Sequence, residues 1–144
     1  MRHFLSTYWL MYYVKNFLFM LFVWLLPSRP VTHTTTTQAI RASLSTGNAT
    51  QLATRFARTI ELVIDVDQVD FPAIDAAHAE QILRTFFRKH PPQRFQSVYE
   101  GASDRLRYST GTYETNGQTY AVYVLMRQNA RRQTVIDALH FRKE

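Results

Sequence analysis

Residues 79–101 read AEQILRTFFRKHPPQRFQSVYEG, and the place where this stretch changes its period decides the fold. Ala79, Ile82, Leu83, Phe86, Phe87 and His90 recur at i, i+3, i+4, i+7, i+8 and i+11, the stripe of a helix with one buried face. Arg84, Arg88 and Lys89 cover its back and put positive charge near the C-terminal dipole end. His90 precedes Pro91, which drives it out of the helical region, and Pro92 forbids continuation. From Phe95 onward Phe95, Ser97, Tyr99 and Gly101 alternate with Gln96, Val98 and Glu100, the period of a strand.

Downstream the alternation continues. A turn at 102–104 leads to a strand over 105–115, and Asn116-Gly117 is a hairpin signal because both positions of a type I′ turn need positive φ. The return strand, 119–127, carries Tyr120, Val122, Val124 and Met126 on one face and Ala121, Tyr123, Leu125 and Arg127 on the other. A turn near Asn129-Ala130 precedes a last strand, 133–143, in which alternation groups Val135, Leu139 and Phe141 with Asp137.

Upstream, Ile40 and Leu44 make an i, i+4 pair over 37–45, and Gly47 sits where a helix C-cap wants positive φ. Asn48 is placed to cap a second helix, 49–57, with Leu52, Ala53 and Phe56 as its apolar stripe. Ile60, Leu62, Ile64 and Val66 then alternate as a strand, and Asp75 is an N-cap candidate for the helix that follows. The order is ααβαββββ, an α+β class with helices on one face of an antiparallel sheet.

The chain begins MRHFLSTYWLMYYVKNFLFMLFVWLLPSRP. Its uninterrupted apolar run, Phe17 to Leu26, is half the ~20 residues a spanning helix needs. With a basic residue before it and Pro27 after it, the run reads as a signal peptide over 1–28, followed by a Thr-rich linker over 29–37 and a domain over 38–144. The competing reading, an anchor over 4–26, would hold Lys15 near mid-bilayer at roughly 2.5 kcal/mol or more. Translation from Met11 would give a more compact basic region. The expected location is therefore exported, whether periplasmic, at a cell envelope or secreted, with membrane contact only through an uncleaved N-terminal segment. The net charge of +6 falls to +3 without Arg2, Lys15 and Arg29, too little bias for a nucleic-acid partner. With no cysteine, the domain must be stable from its core alone, and roughly 110 residues bury about two-thirds of their unfolded surface.

Gly47-Asn48 with Leu52 and Phe56, Ala79-Glu80-Gln81 with Leu83 and Phe86-Phe87, Pro91-Pro92 with Phe95, Gly101 with Ser103, Tyr108 with Gly111-Thr112, and Asn116-Gly117 before Tyr120, Val122 and Tyr123 together resemble the family called domain of unknown function 4783. That resemblance spans roughly 38–142 and implies the nuclear transport factor 2-like superfold, a cone-shaped curved sheet wrapped on a long helix. The family pattern more usually has Gln and Asn at His78 and His90, and a neutral amide at Asp137. It brings no catalytic residues, so it bears on fold and leaves chemistry open.

If the sheet wraps the helix, Phe95, Tyr99, Tyr108, Tyr120, Val122 and Val135 point into the cone. Phe87, Tyr99, Tyr108, Tyr120 and Asp137 are then the cavity candidates, either lining a site for a small apolar ligand or simply packing the core. Asp137 on an apolar face would be a general base if the protein were an isomerase- or cyclase-like enzyme; the alternative is a hydrogen-bonded or rim position. Tyr113, Ala121, Tyr123 and Leu125 are candidates for an apolar outer face. The superfold makes homodimerisation there an expectation. Asp65, Asp67 and Asp70 lack the Gly and distal Glu of a calcium loop, and the histidines lack ligand spacing, so neither metal nor cofactor is expected. Arg105, Arg107, Arg127, Arg131 and Arg132 read as a solvated rim. The functional expectation is a non-catalytic binding or assembly module working through its cone cavity or outer sheet face.

Overall fold

The computed structural model describes residues 33–144; the expectations for the N-terminal segment lie outside these residues. The order is α1 (His33–Thr46), α2 (Ala49–Ala53), β1 (Phe56–Ile64), a 3-10 turn (Asp65–Asp67), β2 (Val69–Asp75), α3 (Ala76–Lys89), β3 (Arg94–Ser103), β4 (Leu106–Thr115), β5 (Gln118–Gln128) and β6 (Thr134–Lys143). The strands form one sheet in the order β2-β1-β6-β5-β4-β3.

The predicted helix over 79–90 is α3, and its stripe is the centre of the core. Ala79, Leu83, Phe86 and Phe87 are buried, each large side chain contributing about 1.5–3 kcal/mol. Asp75 caps α3 by accepting from the His78 N–H at 2.9 Å. The helix ends at His90, which leaves the helical region at φ −126°, ψ 68° before the two prolines.

At the αα corner, Gly47 has φ +64°, and the Asn48 N–H donates back to the Ser43 carbonyl at 2.9 Å, the long bond of a Schellman motif. Asn48 also begins α2, its side chain accepting from the Gln51 N–H at 3.0 Å. Asn116 and Gly117 both have positive φ, and the turn they make pairs Thr115 with Gln118 and Tyr113 with Tyr120.

Several elements differ from expectation. The first helix starts at His33, within the stretch read as linker. Phe56 opens β1 instead of closing α2, and it pairs with Ile136 because α2 is only five residues long. A strand is added to the expected order: β2 pairs antiparallel with β1 at the sheet's edge. Its residues are mostly exposed on both faces, so no apolar alternation announces it, and its Pro72 suits an edge. The sheet is antiparallel except where β1 runs parallel to β6, a junction that the long excursion through β2, α3 and β3–β5 permits.

Candidate functional site

The centre of the concave face is filled. Phe86 lies between Tyr113, Tyr120 and Phe141, with ring centroids 5.9, 5.7 and 4.7 Å away. Phe87 packs on Tyr113 and Phe141 from the side. Two hydroxyls in this cluster are satisfied locally: Tyr113 donates to the His90 carbonyl, and Tyr120 to Gln118 Oε1 at 2.7 Å. Burial pushes the Tyr113 phenol well above its ordinary pKa and the Tyr120 phenol upward, the charge of Asp67 adding to the latter. Both phenols therefore stay neutral and act as packing groups with one tethered polar end. Phe87 and Tyr120, expected to line a cavity, sit in this packed cluster.

Tyr113 is likewise an inner residue and is removed from the outer-face set. The reason is register: a two-residue turn at 116–117 puts residue 113 opposite 120, and directly opposed residues share a face. The same pairing sends Tyr108, opposite Leu125, to the outer face, where it had been expected inside. Tyr99 follows it there. A bulge between Ser97 and Tyr99 inserts Val98 and flips what comes after, so Phe95 points in while Tyr99 is 55% exposed. The Tyr99 and Tyr108 rings lie 5.7 Å apart, and hydrogen bonding with Tyr99 raises the Tyr108 pKa.

A second bulge relocates Asp137. Leu125 pairs with Ala138 and Met126 with Ile136, so Asp137 is the extra residue between them. Ile136 takes the buried position, and Val135, opposite Arg127, moves to the outside. Asp137 accepts from Arg127 Nε at 2.6 Å and from Nη2 at 3.1 Å, a two-point pairing that raises the arginine's pKa. A carboxylate engaged this way on the outer surface is not the buried base that the enzyme alternative requires.

The outer face also carries Ala121, Tyr123 and Leu125, as expected. Tyr123 lies opposite both Thr110 and His140, Leu125 opposite Tyr108 and Ala138, and Ala121 opposite Thr112 and Arg142. The Tyr123 ring packs on His140 at 5.5 Å. His140 Nε2 faces Glu61 Oε1 at 2.9 Å, without the alignment of a full hydrogen bond. From Tyr99 through Tyr108 and Leu125 to Tyr123, the middle of this face is a diagonal of large side chains. Its borders hold the Arg127–Asp137 ion pair and the His140–Glu61 contact.

Among the described residues no three His, Cys, Asp or Glu side chains converge as metal ligands. Asp67 and Asp65 instead face Lys89 at 3.6 Å and Arg142 at 4.0 Å.

The sequence matches the family described as Domain of unknown function (DUF4783) over residues 37–142. No curated protein matches the chain in sequence. In structure it is similar to a DUF4783 family protein from Bacteroides uniformis, with a TM-score of 0.69 and 20% identity, covering 74% of this chain and 95% of that one. A DUF4783 family protein from Bacteroides fragilis gives 0.67 at 21% identity, covering 74% and 96%. An NTF-2 like protein of unknown function from Silicibacter pomeroyi gives 0.58 at 7% identity, covering 77% and 92%. Identities this low speak to fold alone. Taken with the match over 37–142, the curved six-stranded sheet closed on α3 makes this chain a member of the DUF4783 family with an NTF2-like fold.

Proposed function

We propose that the protein is an exported, non-catalytic assembly module that pairs with a second copy of itself through the outer face of its sheet. The observation that carries this reading is the apolar diagonal of Tyr99, Tyr108, Leu125 and Tyr123 on a face that no helix among the described residues covers. Contiguous apolar surface of this kind is what association removes from water. Opposite charges at its border, Arg127 and Arg142 with Glu61 and Asp137, suit a two-fold contact in which each patch meets its own copy. The filled aromatic interior supports assembly over a role for the central cavity, and the outward, arginine-paired Asp137 weighs against the isomerase-like alternative.

Multi-angle light scattering on the purified protein tests the pairing. A dimer mass is expected for the wild type and a monomer mass for Tyr123→Glu and Leu125→Glu with unchanged circular dichroism. A wild type that stays monomeric at high concentration overturns it. Export rests on the basic, apolar and Pro27 succession in residues 1–28. Cell fractionation and N-terminal sequencing are expected to recover an envelope or periplasmic product, shortened near 28–38 or tethered by its apolar segment. A full-length cytoplasmic product would refute export.

A further inference from the structure

The concave face is packed at one end and hollow at the other. Along β4 the inward row runs Tyr113, Gly111, Ser109, Arg107, set opposite Tyr120, Val122, Val124 and Met126 of β5. The first members lie under the Phe86 cluster. The last, Ser109 and Arg107, lie beyond it beside α1, which reaches β3 through an Arg41–Glu100 hydrogen bond of 3.1 Å. The inward row thus turns from buried aromatic to hydroxyl and half-exposed guanidinium where the packed core ends.

Two hollows open there. One, of about 150 Å³, is bounded by Thr37, Glu100, Arg107, Ser109 and Met126, with Tyr108 and the 101–102 backbone region also on its wall. The other, of about 230 Å³, is bounded by Asp104, Arg105, Arg107, Met126, Gln128 and Thr134, with Arg127 of the outer row also on its wall. Arg107 and Met126 belong to both, so the two hollows adjoin at a guanidinium and a thioether.

The charges there are unevenly matched. Glu100 is engaged by Arg41 and Asp137 by Arg127. Among the described residues neither Arg105 nor Arg107 has a carboxylate within 4.0 Å. Asp104, at a left-handed turn residue, is the remaining acid at the rim. The balance is positive, over a floor made by Met126.

We infer that this end of the concave face binds a small organic carboxylate, its head paired with Arg107 and Arg105 and its short hydrocarbon body laid on Met126. The planar guanidinium matches a carboxylate at two points, and Ser109 adds a hydroxyl donor on the side of the first hollow. Each hollow is smaller than the roughly 300–1,000 Å³ of a drug-sized pocket, which restricts the body to a few carbons. Tyr108 and Arg127 border these hollows as well as the proposed pairing face, so the binding measurement is repeated on Tyr123→Glu, where loss of pairing with binding retained separates the two readings.

Isothermal titration calorimetry with hexanoate as the probe, and hexylamine and inorganic phosphate as comparisons, tests this assignment. Saturable binding of hexanoate is expected, with the amine silent and phosphate weaker. Arg107→Gln is expected to weaken hexanoate about tenfold or more, the loss typical of one charge-assisted contact. Arg94→Gln, whose guanidinium bonds Gln96 elsewhere on β3, is expected to leave it unchanged. Thermal unfolding of each variant separates lost binding from lost fold. If Arg107→Gln does not fold, the Met126 methyl resonance of the wild type, shifting with hexanoate, supplies the supporting result. No saturable hexanoate binding, an unweakened Arg107→Gln, a static Met126 methyl, or phosphate binding as tightly as hexanoate would each overturn the assignment.

Discussion

Replacing Gly47 and Gly117 separately by alanine distinguishes a glycine needed for its φ angle from one needed also for space. Both are left-handed, at φ +64° and +76°. A Cβ at 117 would meet nothing within 4 Å, whereas one at 47 would sit 3.0 Å from Pro92 Cδ, 3.3 Å from Pro92 Cγ and 3.4 Å from Phe87 Cβ. The left-handed region costs an L-residue about 1–2 kcal/mol, and the stiffer unfolded chain returns about 0.4–1 kcal/mol. Gly117→Ala should therefore lose roughly 0–1.6 kcal/mol. At 47 the carbon contact is closer than the ~3.5–4.0 Å optimum, and overpacking of this kind adds about 1–3 kcal/mol. Gly47→Ala should therefore lose roughly 1–4.6 kcal/mol in all, about 1–3 kcal/mol more than Gly117→Ala. Urea denaturation reads the difference as a shift in midpoint at constant slope. A double-mutant cycle assigns it. In a Pro92→Ala background, which removes the crowding atoms, Gly47→Ala should fall to about the cost of Gly117→Ala. Equal losses at 47 and 117, or a Gly47 penalty that survives Pro92→Ala, would refute the claim that the αα corner is seated on the double proline.

Phe86→Ala should cost about 3–5 kcal/mol, because the ring is fully buried between Tyr113, Tyr120 and Phe141 and its removal leaves a cavity that those rings cannot close; calorimetry showing a loss below about 1 kcal/mol would contradict the packing described. Asp75 has a folded pKa below its ordinary value, held there first by the His78 N–H. Its stabilisation is thus fully present above the unfolded pKa near 3.8 and is lost as pH falls through the folded value. Asn caps a helix as well as Asp but does not titrate, so a stability gap between the wild type and Asp75→Asn is expected above that pH and should close in acid. A gap that widens on acidification would reverse the sign and refute the capping account.

How much of the fold could be read in advance depended on whether a residue's neighbours are near in sequence. The α3 stripe, the proline stop and the caps at Asn48 and Asp75 are local, and each appears where its pattern puts it. The added strand β2 is mostly exposed, so it has no apolar face from which to read a period. The faces of β3 and β6 were misassigned beyond their bulges, at Tyr99 and Asp137, because one inserted residue reverses every later side chain. The face of β4, by contrast, is legible from its turn. The Asn116-Gly117 turn already implies that Tyr113 opposes Tyr120, which places Tyr113 inside and Tyr108 outside.

The candidate sites divide in the same way. Ala121, Tyr123 and Leu125 follow from simple alternation along β5, and the basic residues near 105–107 and 127–132 are visible as a cluster. That Arg127 is engaged by Asp137 on one face while Arg107 turns inward beside Ser109 and Met126 is a matter of strand pairing and bulge position.

By itself, then, the sequence determined where helices start and stop, which hairpin is tight and which family the chain resembles. Those features rest on backbone sterics and on contacts within a few residues. Only the tertiary structure decided which aromatics fill the interior and which face outward, and where the acid of β6 and the arginines of β4 and β5 point. Sheet register is set by long-range pairing, and a single bulge costs little in sequence while exchanging inside for outside.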